Sequence, residues 1–382
     1  MKSGWVTKKL GEVCEFSKEN GNWRGLAYIG LEDIESKTAR FIGSPNPRTV
    51  QSLTFRFHPG QVLYGRLRPY LQKALLAEVE GHCSTEIFPI QPTNELVDKY
   101  LLHWLLSDDI TAKIDATCRG ARMPRANMNE VLDFDIPIPP LSEQKRIVAK
   151  IDAAFEKIDA LKANAEKNLA NAKELFQSAL DEAMRPKKGW VEKRLGELGE
   201  TLTGMTPSTK DKSNFGDYMP FVKPGDIAPF SQIQFRAEGL SQKGVGLSRL
   251  IKKDSVLMVC IGASIGKTGY ADRDCTCNQQ INALTPKGFS GRYLYYLLSS
   301  EKFKTKLIDE SGQTTLPIIS KSKWENLRVF VLEALDEQRE IVKRLDFLSE
   351  KIKLLDQNYT KQIADCVEMR QAILREAFEG RL

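Results

Sequence analysis

The chain has 382 residues, enough for two or three domains that each bury a core. With 41% hydrophobic and 28% charged residues it has an ordinary globular composition. No apolar run approaches the roughly 18 residues needed to cross a bilayer, and Met1-Lys2-Ser3-Gly4-Trp5 has no apolar core for a signal peptide, so no membrane association and a cytoplasmic location are expected. The net charge of +6 identifies no partner, because it is thinly spread. Basic and acidic side chains number 17 and 17 in residues 1–140, 10 and 8 in 141–188, 20 and 15 in 189–334, and 9 and 10 in 335–382. The seven cysteines are scattered, so a disulfide framework is not expected. Cys275-x-Cys277 lacks the second ligand pair that a zinc site needs.

In chain order, residues 4–12 read GWVTKKLGE. Gln61-Val62-Leu63-Tyr64 then reads as a buried strand. It runs into Gly65-Arg66-Leu67-Arg68-Pro69-Tyr70, which sets two arginines beside an aromatic ring. A helix is expected over 96–107. The segment 116–129 follows, with Arg119, Arg122, Arg125, Asn127 and Asn129 and no Asp or Glu. After the stop Pro137-x-Pro139-Pro140, Ser142 is a plausible N-cap and a long helix is expected to begin.

Residues 189–197 then read GWVEKRLGE, identical to 4–12 at seven of nine positions. Residues 239–253 carry Lys243, Arg249, Lys252 and Lys253 without an acid. Val256 to Ile261 reads as a second buried strand, in the place of Val62 to Gly65. Gly262-Ala-Ser264-Ile-Gly266-Lys267-Thr268 follows it. A phosphate-binding loop would need Gly where Ile261 stands and a helix after the lysine, and neither condition is met. A polar loop between strands is expected instead. Asn278-Gln279-Gln280, a helix over 292–310, Gln313-Thr314-Thr315 and Ser320-Lys321 come next. Residues 335–346, LDEQREIVKRLD, match 141–152, LSEQKRIVAKID, at six of twelve positions, with Asp336 in the place of Ser142. One module of about 190 residues is thus written twice.

Each module ends in a helical segment. Steps of three and four select Ile147, Ile151, Ala154, Ile158, Leu161, Ala165, Asn168, Ala172, Leu175 and Ala179 in the first. The equivalent positions of the second are Ile341, Leu345, Leu348, Ile352, Leu355, Tyr359, Gln362, Cys366, Met369 and Ile373. This is a coiled-coil seam with small residues facing large ones. A compact domain between the helices returns the chain to the same end, so they are expected to run antiparallel. Residues 141–184 would span roughly 66 Å at about 1.5 Å per residue. The expected architecture is α+β: two repeated domains, 1–140 and 189–334, with helical spacers 141–188 and 335–382, related by a pseudo-two-fold axis.

No metalloprotease pair, nucleophile elbow, dinucleotide fingerprint or methyltransferase tetrapeptide is present. His103 lies on a leucine-rich helix, where packing is the simpler role. The remaining chemistry is that of recognition. Arg can bind guanine bidentately, Asn or Gln adenine, and Lys mostly phosphate. Candidate DNA contacts are therefore Arg66, Arg68, Tyr70, Arg119, Arg122, Arg125 and Asn127 in the first module. In the second they are Lys243, Arg249, Ser264, Lys267, Asn278, Gln279, Gln280, Gln313, Thr314 and Lys321.

The Gly-Trp-x-x-x-x-Leu-Gly-Glu starts, the loop-bearing domains and the Glu-Gln-x-x-Ile-Val helices resemble the specificity subunit of type I restriction–modification systems, over the whole chain. Gly262 to Lys267 with Asn278-Gln279-Gln280 is similar to the family's target-recognition domains; the first half holds Gly65 to Tyr70 and Cys83-Ser-Thr-Glu86 instead. The resemblance implies a non-catalytic subunit whose two domains each read one half of a bipartite asymmetric DNA target. The helices would set the spacing and dock two methyltransferase subunits, which bring S-adenosylmethionine. A motor-nuclease subunit would bring ATP hydrolysis with Mg, and no cofactor is expected in this chain. A duplicated coiled-coil scaffold without DNA binding, or the specificity part of a type IIB-like enzyme, are the alternatives.

Overall fold

The computed structural model describes residues 4–44, 46–48, 50–120, 122–228, 233–312 and 316–382. They form two compact units, Met1–Ala165 with Lys361–Leu382, and Glu166–Thr360. The first long helix, Leu141–Ala183, and the second, Leu335–Phe378, each contribute to both units, so the expected bounds at 140 and 334 separate sheet from helix rather than unit from unit.

In the first unit, Val6–Lys9 pairs antiparallel with Asp135–Ile138, bringing the ends of the globular part together. An antiparallel sheet runs in the order Cys14–Phe16, Ile87–Pro92, Val62–Gly65, Ala74–Leu76. A second sheet runs Asn20–Gly21, Thr54–Phe57, Gly81–Ser84, Ala27–Ile29, its last pair parallel. Val62–Gly65 is buried along its whole length, as a run without polar alternation predicts. Helix Asp98–Leu105 adds the fully buried Tyr100 and Trp104 to the core, and helix Asp108–Ala116 adds Ile110 and Ile114.

The second unit repeats this plan. Val191–Arg194 pairs with Arg328–Val331, and the sheet order is Gly199–Thr203, Ile281–Pro286, Val256–Val259, Thr268–Tyr270. The parallel pair recurs as Phe221–Val222 with Thr276–Cys277. The helix expected over 292–310 is two helices, Gly291–Ser299 and Glu301–Glu310, divided where the Ser300 hydroxyl accepts from the Phe303 amide at 3.4 Å. Such a side-chain acceptor starts a helix afresh. All seven cysteines are free, and burial pushes the Cys275 thiol up to about 12.

Within each unit the long-helix segments pack antiparallel. In the first, Asp159 pairs with Arg370 at 2.6 Å, and the earlier Arg146 donates to the carbonyl of the later Leu382 at 2.7 Å. In the second, Lys173 pairs with Asp356 at 2.9 Å, while Ala172, Phe176 and Leu180 share a core with Leu345 and Ile352. Ile147, Ile151, Ile158, Ala165 and Ala172 are buried, as are Leu345 and Ile352; Ile341, Leu348 and Ile373 pack at the core margin.

Six seam residues lie elsewhere, among them Asn168 and Gln362, which are exposed. Leu161 and Leu175 are 56% and 60% exposed, and Leu355 and Met369 are 38% and 47% exposed. The anchors 151, 158, 165 and 172 are placed as expected, but the other buried stripe lies four residues after an anchor, not three. It holds Phe155 and Phe176 on one helix and Ser349 and Ala377 on the other. Both offsets share a helix face, and the inner one is set by what must be touched. The Phe155 ring meets His103 from the globular part at 5.5 Å and lies 3.8 Å from the Arg370 guanidinium.

The helices begin one residue earlier than the expected caps, so Ser142 and Asp336 sit inside the first turn. The reason is a glutamine. Pro140 already accepts from the amides of Glu143 and Gln144 at 2.8 and 3.0 Å, and Ala334 accepts from that of Gln338 at 3.1 Å. Gln144 and Gln338 have no exposed surface. Gln144 accepts from the Val97 amide and donates to the carbonyls of Glu95 and Pro139, all within 2.9 Å. Gln338 accepts from the Ser290 amide at 2.9 Å and donates to the Leu332 carbonyl at 2.7 Å.

Eight residues further on stands an aspartate in each repeat. Asp152 accepts from His103 at 2.9 Å and Lys99 at 2.8 Å, whereas Asp346 accepts from Arg292 at 2.7 Å and Tyr296 at 2.5 Å. The His103 hydrogen bond, helped by Lys99, holds the Asp152 carboxyl down at about 2. A depressed carboxylate contributes stability that is complete above its unfolded value near 4 and is lost as pH falls toward 2. Asp152→Asn is therefore expected to melt earlier than wild type at pH 7, with the difference shrinking between about pH 4 and pH 2; a constant difference across that range contradicts the ion pair. Ile158→Ala is expected to cost about 2–5 kcal/mol in urea unfolding, while Leu161→Gln stays within about 0.5 kcal/mol. Equal costs would restore the seam read from sequence.

Candidate nucleic-acid interface

The buried strand Val62–Gly65 delivers the chain to Arg66, Leu67 and Arg68. There the backbone joins two other segments: the Arg66 amide donates to the Glu86 carbonyl at 2.9 Å, and Leu67 bridges Arg125. The Arg68 amide donates to the Pro124 carbonyl at 2.8 Å and the Ala126 amide to the Arg66 carbonyl at 2.9 Å. Arg66 and Arg68 are thus brought against Arg125, although they are some sixty residues apart in sequence. Arg119 bridges Arg125 on its other side. Arg68 adopts a left-handed backbone with φ 52, as does Gln72 with φ 48. Such conformations cost a non-glycine residue about 1 kcal/mol or more and cluster at functional sites.

The expectation that this region is free of acids holds only along the chain. Glu86 reaches in from the strand side, accepting from Arg66 Nε at 3.0 Å and Arg125 Nε at 2.8 Å. Arg119 pairs with Glu130 at 3.5 Å. Asn127 caps the short helix Met128–Val131 and bonds Glu130, so its amide is engaged in holding the backbone. Among the described residues Arg68 and Arg122 have no carboxylate partner, and both are exposed beside Tyr70 and Met123, which are 49% and 45% exposed.

The second unit uses the same frame. The Cys260 amide donates to the Gln280 carbonyl at 2.8 Å, as Arg66 does to Glu86, and Ile261 bridges Ile318, as Leu67 does Arg125. Each pair lies 193 or 194 residues beyond its counterpart. Gly262 to Lys267 is indeed a loop between strands, and Gly262 and Gly266, with φ +98 and +85, take turns closed to other residues. Asn278 Nδ2 donates to Gln280 Oε1 at 2.9 Å. Gln279 accepts from Thr206 at 2.6 Å, and Arg249 donates to the Thr203 carbonyl at 2.9 Å, so residues 203–206 link these two candidates. Ser264 closes the loop by accepting from the Lys267 amide at 3.1 Å, and the Lys267 ammonium is exposed with no carboxylate partner among the described residues.

Other candidates are engaged elsewhere. Lys243 pairs with Asp211 at 2.7 Å and Lys252 with Asp274 at 3.2 Å, which corrects the acid-free reading of 239–253. The Lys243 ammonium, with the Ser213 hydrogen bonds, holds the Asp211 carboxyl down at about 2. Lys321 pairs with Glu325 at 2.5 Å. Gln313 and Thr314 lie outside the described residues. The roles of Glu86, Gln144, Gln338, Asp152 and Asp346 were missed from sequence, although the last four repeat at matching places in the two Glu-Gln segments.

Two copies of one backbone frame carrying different exposed side chains define a duplicated recognition domain. Residues 2–171 and 187–363 match the family described as "Type I restriction modification DNA specificity domain", and the chain belongs to it. It is 28% identical over 188 residues to the type I restriction enzyme EcoDI specificity subunit of Escherichia coli, covering 43% of this chain and 42% of that one. It is 30% identical over 171 residues to the MjaIX specificity subunit of Methanocaldococcus jannaschii, covering 44% and 39%. The aligned stretches are under half the length of either relative. A chain from a study titled "Structural basis underlying complex assembly and conformational transition of the type I R-M system" superposes with a TM-score of 0.81 at 26% identity, over 100% of this chain and 99% of that one. The HsdS subunit of Thermoanaerobacter tengcongensis gives 0.55 at 25% identity, over 100% and 98%.

Proposed function

We propose that this chain is the DNA-specificity subunit of a type I restriction–modification complex, each unit reading one half of a bipartite, asymmetric target. The observation that carries the reading is the shared frame. Backbone hydrogen bonds hold the loop after the central strand in both units, while the side chains mounted on it differ: Arg66, Glu86 and Arg125 in one, Cys260, Gln280 and Ile318 in the other. A fold kept constant while the side chains on its loops change suits the reading of two different sequences. No helix among the described residues is long and apolar enough to cross a membrane, and no group of three His, Cys, Asp or Glu among them could hold a metal.

Catalysis is assigned to partners: two methyltransferase subunits with S-adenosylmethionine, and a motor-nuclease subunit with ATP and Mg, working in the cytoplasm. The helices of 43 and 44 residues would set the spacing between half-sites and dock the methyltransferases. Lengthening both by one heptad moves a reader by about 10 Å, or about three base pairs. We expect that insertion to abolish methylation of the native target in the reconstituted complex and to restore it on targets with a longer spacer. Unchanged spacer preference would remove the ruler.

Arg68 and Arg122 are exposed cations with no acid partner among the described residues, the character of phosphate contacts. Arg68→Ala or Arg122→Ala is expected to weaken binding of the complex to all duplexes alike and to reduce the salt slope by about 1 each. A change confined to one target position would instead make them base readers. Methylation by the isolated chain would replace the whole reading with a fused enzyme.

A further inference from the structure

The Arg66–Glu86–Arg125 cluster has a geometry that a simple surface ion pair does not require. Both arginines approach one carboxylate through Nε: Arg66 reaches Oε2 at 3.0 Å and Arg125 reaches Oε1 at 2.8 Å. A guanidinium is planar, so one terminal N–H shares the edge that Nε presents to the acceptor, while the end edge formed by both terminal nitrogens is turned about 120° from it and is left for another partner. In Arg66 neither terminal nitrogen has a protein partner among the described residues. In Arg125 one lies 3.5 Å from the Met123 carbonyl. The Arg66 guanidinium also sits over the Phe88 ring, 5.3 Å from its centroid, so the fork is fixed by a carboxylate at one edge and an aromatic face beneath. Its side chain is 31% exposed and that of Glu86 is 21% exposed, which leaves the charge partly desolvated but open on one side. The backbone beneath is fixed independently, by the Arg66-to-Glu86 amide bond of 2.9 Å and the Leu67–Arg125 bridge.

An arginine presented this way matches one edge in the DNA major groove. Guanine offers N7 and O6 side by side as acceptors, and a paired set of terminal N–H groups reads them together. An acidic residue beside DNA otherwise repels phosphate, so Glu86 needs a compensating role, and orienting two forks supplies one. We propose that Glu86 is a positioning residue for base reading, that Arg66 is the guanine reader it orients, and that the half-site read by the first unit contains a G·C pair at that position. The network is private to this unit. At the three matching frame positions the second unit has Cys260, Gln280 and Ile318, which cannot form it.

The inference rests on the DNA-specificity reading above, and the test separates the two. The full chain is assembled with its methyltransferase subunits, and methylated adenines are mapped across a genome for wild type, Glu86→Gln, Arg66→Lys and Arg66→Ala. Wild type is expected to give a bipartite motif with guanine in the first unit's half. Glu86→Gln keeps both arginines and Arg66→Lys keeps the charge, yet each is expected to relax discrimination at that guanine about tenfold or more, with the second half-site unchanged. Should Glu86→Gln fail to assemble, Glu86→Asp is used, with the same relaxation expected from its shorter reach. Relaxation by Arg66→Ala but not by Glu86→Gln would overturn the positioning role alone. Relaxation at a position that is not guanine would overturn the base assignment. An unchanged motif in all variants would overturn the inference and remove this surface as a reader, while the bipartite motif itself would still stand for the subunit's function.

Discussion

A glutamine with no exposed surface ties each globular part to its helix, and the geometry of each unit follows from that tie. Gln144 and Gln338 each satisfy a backbone amide and a carbonyl at once, groups that belong to loops and not to the helix. A buried amide of this kind is costly to leave unpaired, about 1–3 kcal/mol for each stranded group. It therefore allows one arrangement and penalises its neighbours. The aspartate two turns later adds a second point of attachment, with His103 and Lys99 in one unit and Arg292 and Tyr296 in the other. Two points on one helix face fix both position and rotation.

That rigidity lets the exposed loops vary. The bonds that shape the loop after the central strand run from amide to carbonyl, so they survive any change of side chain. The bend itself is set by backbone angle, and in the second unit it is made by Gly262 and Gly266 in a loop of the same length as the first unit's. The first unit makes its turn with Arg68 and Gln72 in left-handed conformations instead. One scaffold thus accepts two solutions to the same bend, and each brings its own set of polar groups to the surface.

What was legible in the sequence was whatever repeats or alternates. The two modules, the buried strands at 62–65 and 256–259, and the pair of long helices all follow from identity or period. The seam was half legible. Anchors at 151 and 158 share a face with both the third and the fourth following residue, and leucine at 161 and 175 drew the choice to the wrong one. The deciding fact was that Phe155 must meet His103, a contact from another part of the chain. The acid-free loops failed for the same reason: Glu86 is distant in sequence from Arg125, and the frame closes that gap. Asp152 and Asp346 are among the six identities of the Glu-Gln segments, but the partners that give them a role, Lys99 and His103 or Arg292 and Tyr296, lie some fifty residues earlier in the chain.

The same pairing explains why net charge said so little about the partner. Residues 1–140 are electrically balanced, yet Arg66, Arg68, Arg119, Arg122 and Arg125 come from only two segments of them. The balancing acids are not spread evenly against these cations. Glu86 is shared between Arg66 and Arg125, Glu130 serves Arg119, and Arg68 and Arg122 have no acid among the described residues. A field strong enough to hold a polyanion needs only local excess, since charges beyond about 10 Å are screened at physiological salt. Acids placed to orient arginines lower the total without removing that excess. Under the proposed reading they would also make the surface selective: a fork fixed in direction loses less entropy on meeting the right base edge, and it cannot turn to accommodate the wrong one.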